Sequence, residues 1–118
     1  MKGPLENIRV LDFSEIIAGP FAGMLLSDMG ADVIKIEPPW GEPWRFSQPI
    51  VPNESRTYIS LNRGKKSLTL DLTKDSAKQI VYDLIHDIDV VIVNYRPDVP
   101  ANLGIDYETL SKINPMLI

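Results

Sequence analysis

Val10-Leu-Asp-Phe-Ser-Glu-Ile-Ile-Ala-Gly-Pro-Phe-Ala-Gly23 and, after a short gap, Gly30-Ala-Asp-Val-Ile-Lys-Ile-Glu37 decide how this chain folds. Ile8 to Phe13 is a compact apolar run around Asp12, the pattern of a buried strand. Pro20 stands where a first helical turn tolerates proline. Phe21, Met24, Leu25 and Asp28 follow at helical spacing, with Ala22, Leu26 and Met29 widening the apolar stripe. Gly30 suits the left-handed residue that ends a helix. Val33, Ile34 and Ile36 then make a second strand, closed by Pro38-Pro39. Strand, helix and strand in this order predict a parallel crossover. They put the helix entrance at Ala18-Gly19-Pro20 on the carboxyl end of a strand, where open α/β sheets bind ligands.

Further along, residues 38–52 hold five of the ten prolines (38, 39, 43, 49 and 52) and both tryptophans, Trp40 and Trp44. They are expected to form a surface loop without secondary structure, one that covers a ligand or a partner. Tyr58 to Asn62 reads as a short element, and Ser67 to Leu72 alternates like a half-buried strand. Thr73 is placed to cap a helix whose apolar face is Ala77, Ile80, Val81, Leu84 and Ile85. Ile88 to Val93 is another buried strand, with Asn94-Tyr95-Arg96-Pro97 at its carboxyl end. A last short helix is expected to start at Asp106 and to carry Tyr107, Leu110 and Ile113 inward. Met116-Leu-Ile118 opens a fresh apolar run after Asn114-Pro115, which suggests a piece of a longer protein.

Composition narrows the function classes. A chain of 118 residues holds one domain at most. Its 44% hydrophobic and 24% charged residues are ordinary for a soluble protein. A net charge of −4 argues against a generic nucleic-acid binder. Without cysteine there is neither disulfide nor thiolate chemistry. The amino terminus lacks the apolar core of a secretory signal, and no apolar run approaches a membrane span, so a cytoplasmic location is expected.

Three loops should converge on one rim: Ile17-Ala18-Gly19, Leu70 to Thr73, and Asn94-Tyr95-Arg96. A helix amino terminus there offers unpaired amides to a phosphate or a base edge, although Ala18 and Gly19 are also small enough simply to let helix and strand pack closely. Neither a Gly-x-Gly-x-x-Gly nor a Walker lysine motif is present. Arg56 to Leu70 contains four basic residues (56, 63, 65 and 66) and no acidic one, a local reversal of sign suited to an anionic ligand or to a solvated turn. Arg96 can pair two phosphate oxygens at once, and Tyr95 offers a face for stacking on a base. Asp12, inside a strand, needs compensating partners and is expected to bond neighbouring backbone or a loop, not to act as a nucleophile. His86, the one histidine, sits on the polar edge of a helix away from these loops, and no set of residues has metal-ligand spacing.

Leu11-Asp-Phe-Ser, Ala18-Gly-Pro, Gly30-Ala-Asp-Val-Ile-Lys-Ile-Glu, Asn62-Arg-Gly-Lys-Lys-Ser, Leu70-Asp-Leu, Asp89-Val-Val-Ile-Val-Asn-Tyr-Arg-Pro and Leu103-Gly-Ile-Asp occur in the order and spacing of a known family. Together they resemble the amino-terminal part of the family III CoA-transferases, the group of formyl-CoA transferase, carnitine CoA-transferase and α-methylacyl-CoA racemase. The resemblance implies an α/β, Rossmann-like domain of mostly parallel sheet with flanking helices, of which residues 1–118 are a CoA-binding part. It implies coenzyme A bound through Ile17, Ala18, Leu70, Thr73, Asn94, Tyr95 and Arg96, with no metal. It further implies acyl-CoA and carboxylic acid substrates, and subunits interlocked as a homodimer.

Three departures from the family's pattern each remove a candidate phosphate contact: Pro38 stands where some members have arginine, Asn102 where arginine or lysine is usual, and Thr73 where some relatives have lysine. Arg63, Lys65, Lys66 and Arg96 could compensate. The family transfers CoA through an aspartyl-CoA intermediate, and no aspartate of this chain aligns with the one that carries it, so the chain alone is expected to be inactive. A 2-methylacyl-CoA racemase of the same fold and a non-catalytic CoA-binding or assembly module are the alternatives; a generic nucleotide binder ranks lower.

Overall fold

A computed structural model describes residues 2–52 and 54–118. Its elements are β1 (Arg9–Asp12), α1 (Ala18–Asp28), β2 (Asp32–Glu37), β3 (Pro49–Val51), β4 (Glu54–Ser55), α2 (Arg56–Asn62), β5 (Lys66–Thr69), α3 (Asp75–Ile85), β6 (Val90–Ile92), α4 (Asp98–Leu103) and α5 (Tyr107–Ile113). Four strands form one parallel sheet in the order β5-β2-β1-β6. The chain runs outward from β1 through β2 to β5, then returns to β1's other side as β6. That reversal makes the gap between β1 and β6 the switch point of the sheet, the usual ligand crevice of such folds. Ile118 exchanges two backbone hydrogen bonds with Asp89 and Val91 along the far side of β6.

Alternation along the strands sorts side chains to two faces. Leu11, Phe13, Ile36, Leu70 and Leu72 pack with α3 and α5 through Ala77, Val81, Ile85 and Leu110. Val10, Val33 and Ala31 form a smaller cluster with Leu5, Ile8 and Leu26 on the opposite side. There the apolar layer gives way to charge toward the carboxyl ends, because Asp12 pairs in register with Lys35 and both are buried.

The expected elements are present, with five differences. Residues 38–52 are not structureless: Pro43–Phe46 is a 3-10 turn, and β3 pairs antiparallel with β4. Thr73 does not cap α3; its amide and hydroxyl both donate to Asp71 Oδ1 (3.1 and 2.6 Å), and Lys74 takes the cap position. Tyr107 points outward while Leu110 is buried. Met24 alone of the apolar stripe of α1 is fully buried, and Phe21, Leu25 and Met29 stay exposed. α4, with Pro97 at its cap position and Pro100 within its first turn, had no periodic signal to announce it.

The Asp12–Lys65 pair is fully hydrogen-bonded. The Lys65 side chain, 2% exposed, donates to Asp12 Oδ2 at 2.7 Å, to the Pro20 carbonyl at 2.9 Å and to Asn62 Oδ1 at 2.9 Å. An ammonium has three protons, and each finds an acceptor. Asp12 Oδ1 in turn accepts from the Ser14 amide at 2.9 Å and from the Ser14 hydroxyl. Gly23 permits this: a Cβ there would stand 2.7 Å from Asp12 Oδ2.

Beside that pair, Glu37 receives Arg45 through both oxygens (2.6 and 2.7 Å) and the Tyr58 hydroxyl at 2.6 Å, while the guanidinium lies 3.9 Å from the Tyr58 ring centre. Burial raises the Glu37 carboxyl, but the hydrogen bonds from Arg45 and Tyr58 outweigh it and hold the group below its ordinary value. Burial and the Glu37 charge push the Tyr58 hydroxyl far above the usual phenol range, so it remains a donor.

Two outcomes are expected. Lys65→Met strands the Asp12 carboxylate in the interior and should cost about 3–5 kcal/mol in urea unfolding, whereas Arg63→Ala, which frees only the exposed Asp28, should leave the midpoint unchanged. The Glu37–Arg45 contribution should be complete above the ordinary carboxylate value of 4.5 and disappear as pH falls through the lower value of the folded protein. The stability gap between the wild-type chain and Arg45→Met should therefore shrink in urea titrations run well below pH 4.5.

Candidate functional site

Where β1 ends, the chain must turn into α1 with its backbone polar groups partly out of reach of water, and side chains from three other elements meet them. Ser14 N–H is taken by Asp12, and the Ser14 carbonyl by the buried Lys35 ammonium at 2.8 Å. Asn94, just after β6, accepts from Glu15 N–H at 2.9 Å and donates to the Glu15 carbonyl at 2.8 Å. Ile16 N–H goes to Glu42 Oε2 at 2.9 Å. Ile16 itself has φ +69°, a left-handed conformation that costs an L-residue about 1–2 kcal/mol. Gly19 follows in the first turn of α1, with no room for a Cβ because Ser14 and Asn94 press against it. Its small size thus serves packing, and it brings α1 and the β6 loop together on one rim.

On the α3 side of that rim lies a cleft of about 310 Å³. Phe13, Ile36, Leu70 and Leu72 form its apolar floor, and Tyr95, Trp40, Val99 and Leu103 its sides. Glu15, Glu37, Asp71 and Thr73 supply the polar lining, and no cation is among its lining residues. Burial, then the neighbouring Glu42, raises the Glu15 carboxyl, with Lys35 pulling the other way. Burial, then the charge of Glu15, pushes the Tyr95 hydroxyl far above the usual phenol range, which keeps it protonated. The cleft thus combines an apolar floor with carboxylates and a phenol in its lining.

Of the residues singled out in the sequence, Leu70, Thr73 and Tyr95 line this cleft. Ile17 and Ala18 sit at the amino end of α1, exposed and outside it, Ile17 at 52% exposure. Asn94 has its side-chain amide occupied by Glu15, so it joins two loops. Arg96 is 83% exposed just beyond Tyr95, with a long 3.9 Å approach to Asp98. Three of the four basic residues of the run are spent on ion pairs: Arg63 with Asp28, Lys65 with Asp12 and Lys66 with Asp32, each at 2.6 or 2.7 Å. His86 is exposed at the end of α3. No cluster of three metal-ligating side chains occurs among the described residues, and no helix of the described residues is long and apolar enough to cross a membrane.

Phe13, Glu15, Trp40 and α4 belong to the cleft without having been singled out as site residues. Phe13 and Glu15 could have been found from the strand reading, since alternation sends Phe13 to the same face as Leu11 at the strand's open end.

Comparison with known proteins agrees with this geometry. The model of CoA-transferase family III matches residues 5–118. The acetyl-CoA:oxalate CoA-transferase of Acetobacter aceti is 41% identical over 118 residues, covering 99% of this chain and 30% of its own length. The crystal structure of Rv3272 from Mycobacterium tuberculosis in an orthorhombic form superposes with a TM-score of 0.88 at 44% identity, over 98% of this chain and 32% of that one. A CAIB/BAIF family protein from Brucella suis gives a TM-score of 0.91 at 36% identity, over 100% and 32%. The chain spans about a third of the length of these relatives. A parallel sheet with a cleft over the carboxyl ends of its strands, the family's sequence pattern and this fold likeness agree: the chain belongs to CoA-transferase family III.

Proposed function

We propose that residues 1–118 are the CoA-binding part of a Rossmann-like domain whose whole protein moves CoA from an acyl-CoA thioester to a carboxylic acid. The observation that carries this reading is the cleft itself. Its apolar slot and carboxylate lining suit the adenine and ribose of CoA, and the lack of a lining cation turns the phosphates outward to the rim, where Arg96 stands exposed. Ile17 and Ala18, at the start of α1, then face the ribose and phosphate side, with Leu70, Thr73 and Tyr95 against the base. Asn94 acts by holding the Glu15 backbone in place.

In the transfer so proposed, an aspartate carboxylate attacks the thioester carbonyl and expels CoA thiolate, leaving an acyl-aspartyl anhydride. The thiolate then attacks the aspartyl carbonyl and releases the donor acid, giving the aspartyl-CoA thioester that passes CoA to the acceptor carboxylate. Asp12 is unsuited to that part, since Lys65 and Ser14 occupy its oxygens. Asp71 is bound to Thr73. Since no aspartate of this chain aligns with the one that carries CoA in the family, the 118-residue chain in this reading binds and does not turn over. Phe21 and Leu25, exposed one turn apart on α1, are the apolar surface that a homodimer of the whole, cytoplasmic protein would cover.

Calorimetric titration of the chain should give saturable CoA binding, weakened about tenfold by Tyr95→Ala through loss of stacking and several-fold by Arg96→Ala, with His86→Ala unchanged. No CoA exchange between acids should be detected. Absence of saturable binding, or AMP bound as tightly as CoA, would overturn the assignment.

A further inference from the structure

We propose that Glu42 is a positioning residue for the nucleotide site, holding the β1–α1 loop in the conformation that CoA meets; the inference rests on the CoA-binding reading above. Glu42 lies in the proline- and tryptophan-rich segment, outside the cleft, yet is only 1% exposed. Of its two carboxylate oxygens, Oε2 accepts from Ile16 N–H at 2.9 Å and Oε1 is buried without a partner. Burying a carboxylate with half its acceptors unused is unfavourable, and an apolar side chain would fill the same space at less cost. The Ile16 amide is the contact that an apolar residue could not replace.

Ile16 needs such a contact. A β-branched residue at φ +69° is an outlier, and its side chain is too exposed for packing to hold it there. Glycine would adopt this backbone freely. The conformation matters because Ile16 joins Glu15, in the cleft wall, to Ile17, at the entrance of α1. Asn94 fixes the Glu15 side of that junction and Glu42 the other. The clamp is itself anchored: Glu42 N–H donates to Glu37 Oε2 at 3.2 Å, and Glu37 is gripped by Arg45 and Tyr58. A line of contacts thus runs from the Tyr58–Arg45–Glu37 group through Glu42 into the rim.

Three variants of the 118-residue chain test this, each read by CoA titration and by hydrogen exchange at the Ile16 amide without ligand. Glu42→Gln keeps an acceptor and should bind CoA within about threefold of wild type, with the Ile16 amide still protected; Glu42→Met fills the space without an acceptor and should weaken binding at least about tenfold and lose that protection. Adding Ile16→Gly to Glu42→Met removes the need for a clamp and should restore binding, which a merely structural role for Glu42 would not allow. If Glu42→Met does not fold, the double variant should recover both folding and binding; its failure to do so would overturn the proposal. Equal Ile16 exchange in wild type and Glu42→Met would also overturn it. Should wild type not bind CoA at all, the functional reading falls, and Ile16 exchange still decides whether Glu42 clamps the loop.

Discussion

A charged pair shut inside the sheet governs how the rest of this molecule is arranged. Asp12 on β1 and Lys65 before β5 meet beneath α1, and the same ammonium reaches the Pro20 carbonyl in the helix's first turn. A buried charge is costly unless its partners are complete. The need to complete them fixes where α1 begins, how near it comes to β1 and where Ser14 lies. Asp12 serves twice, since its second oxygen holds the Ser14 amide. From there the loop is built by contacts that arrive one after another from Lys35, Asn94 and Glu42. Pre-organisation of this kind lets a loop at a strand end accept a ligand without first losing much conformational freedom.

The two faces of the sheet divide the work at its carboxyl end. On one, Asp12, Lys35 and Glu37 with Lys65, Arg45 and Tyr58 form a polar layer that is hydrogen-bonded almost throughout. On the other, Phe13, Ile36, Leu70 and Leu72 continue the core upward until it opens into the cleft. The cleft floor is therefore the top of the hydrophobic core. Its shape follows from the same packing that stabilises the fold, and the rigidity of the polar layer behind it keeps the rim in place.

Much of this was legible in the residues alone. Strand runs such as Val10-Leu-Asp-Phe and Val33-Ile-Lys-Ile, and the periodic face from Ala77 to Ile85, located the sheet and α3, because burial patterns are written in the chain itself. What escaped depended on partners distant in sequence. The stretch from Arg56 to Leu70 shows only positive charge locally, while the carboxylates that pair with Arg63, Lys65 and Lys66, namely Asp28, Asp12 and Asp32, come from α1, β1 and β2. Thr73 looked like a cap until Asp71, two residues earlier, claimed its hydroxyl. The stripe on α1 is wider than the surface the sheet offers, which leaves Phe21 and Leu25 uncovered. In the site, Leu70, Thr73 and Tyr95 share a cleft, as loops following parallel strands should. Glu42 could not be found by such reasoning, since its role is set by a left-handed residue 26 positions earlier in the chain.

The Asp12–Lys65 pair also divides the molecule's response to ionic strength. Added electrolyte screens charges that meet solvent, over about 8 Å at physiological concentration. It hardly reaches a pair whose side chains are 0% and 2% exposed. Arg96 on the rim lies fully within that screening atmosphere. The architecture is thereby insulated from the ionic medium, while any attraction the rim exerts on an anion is left open to it.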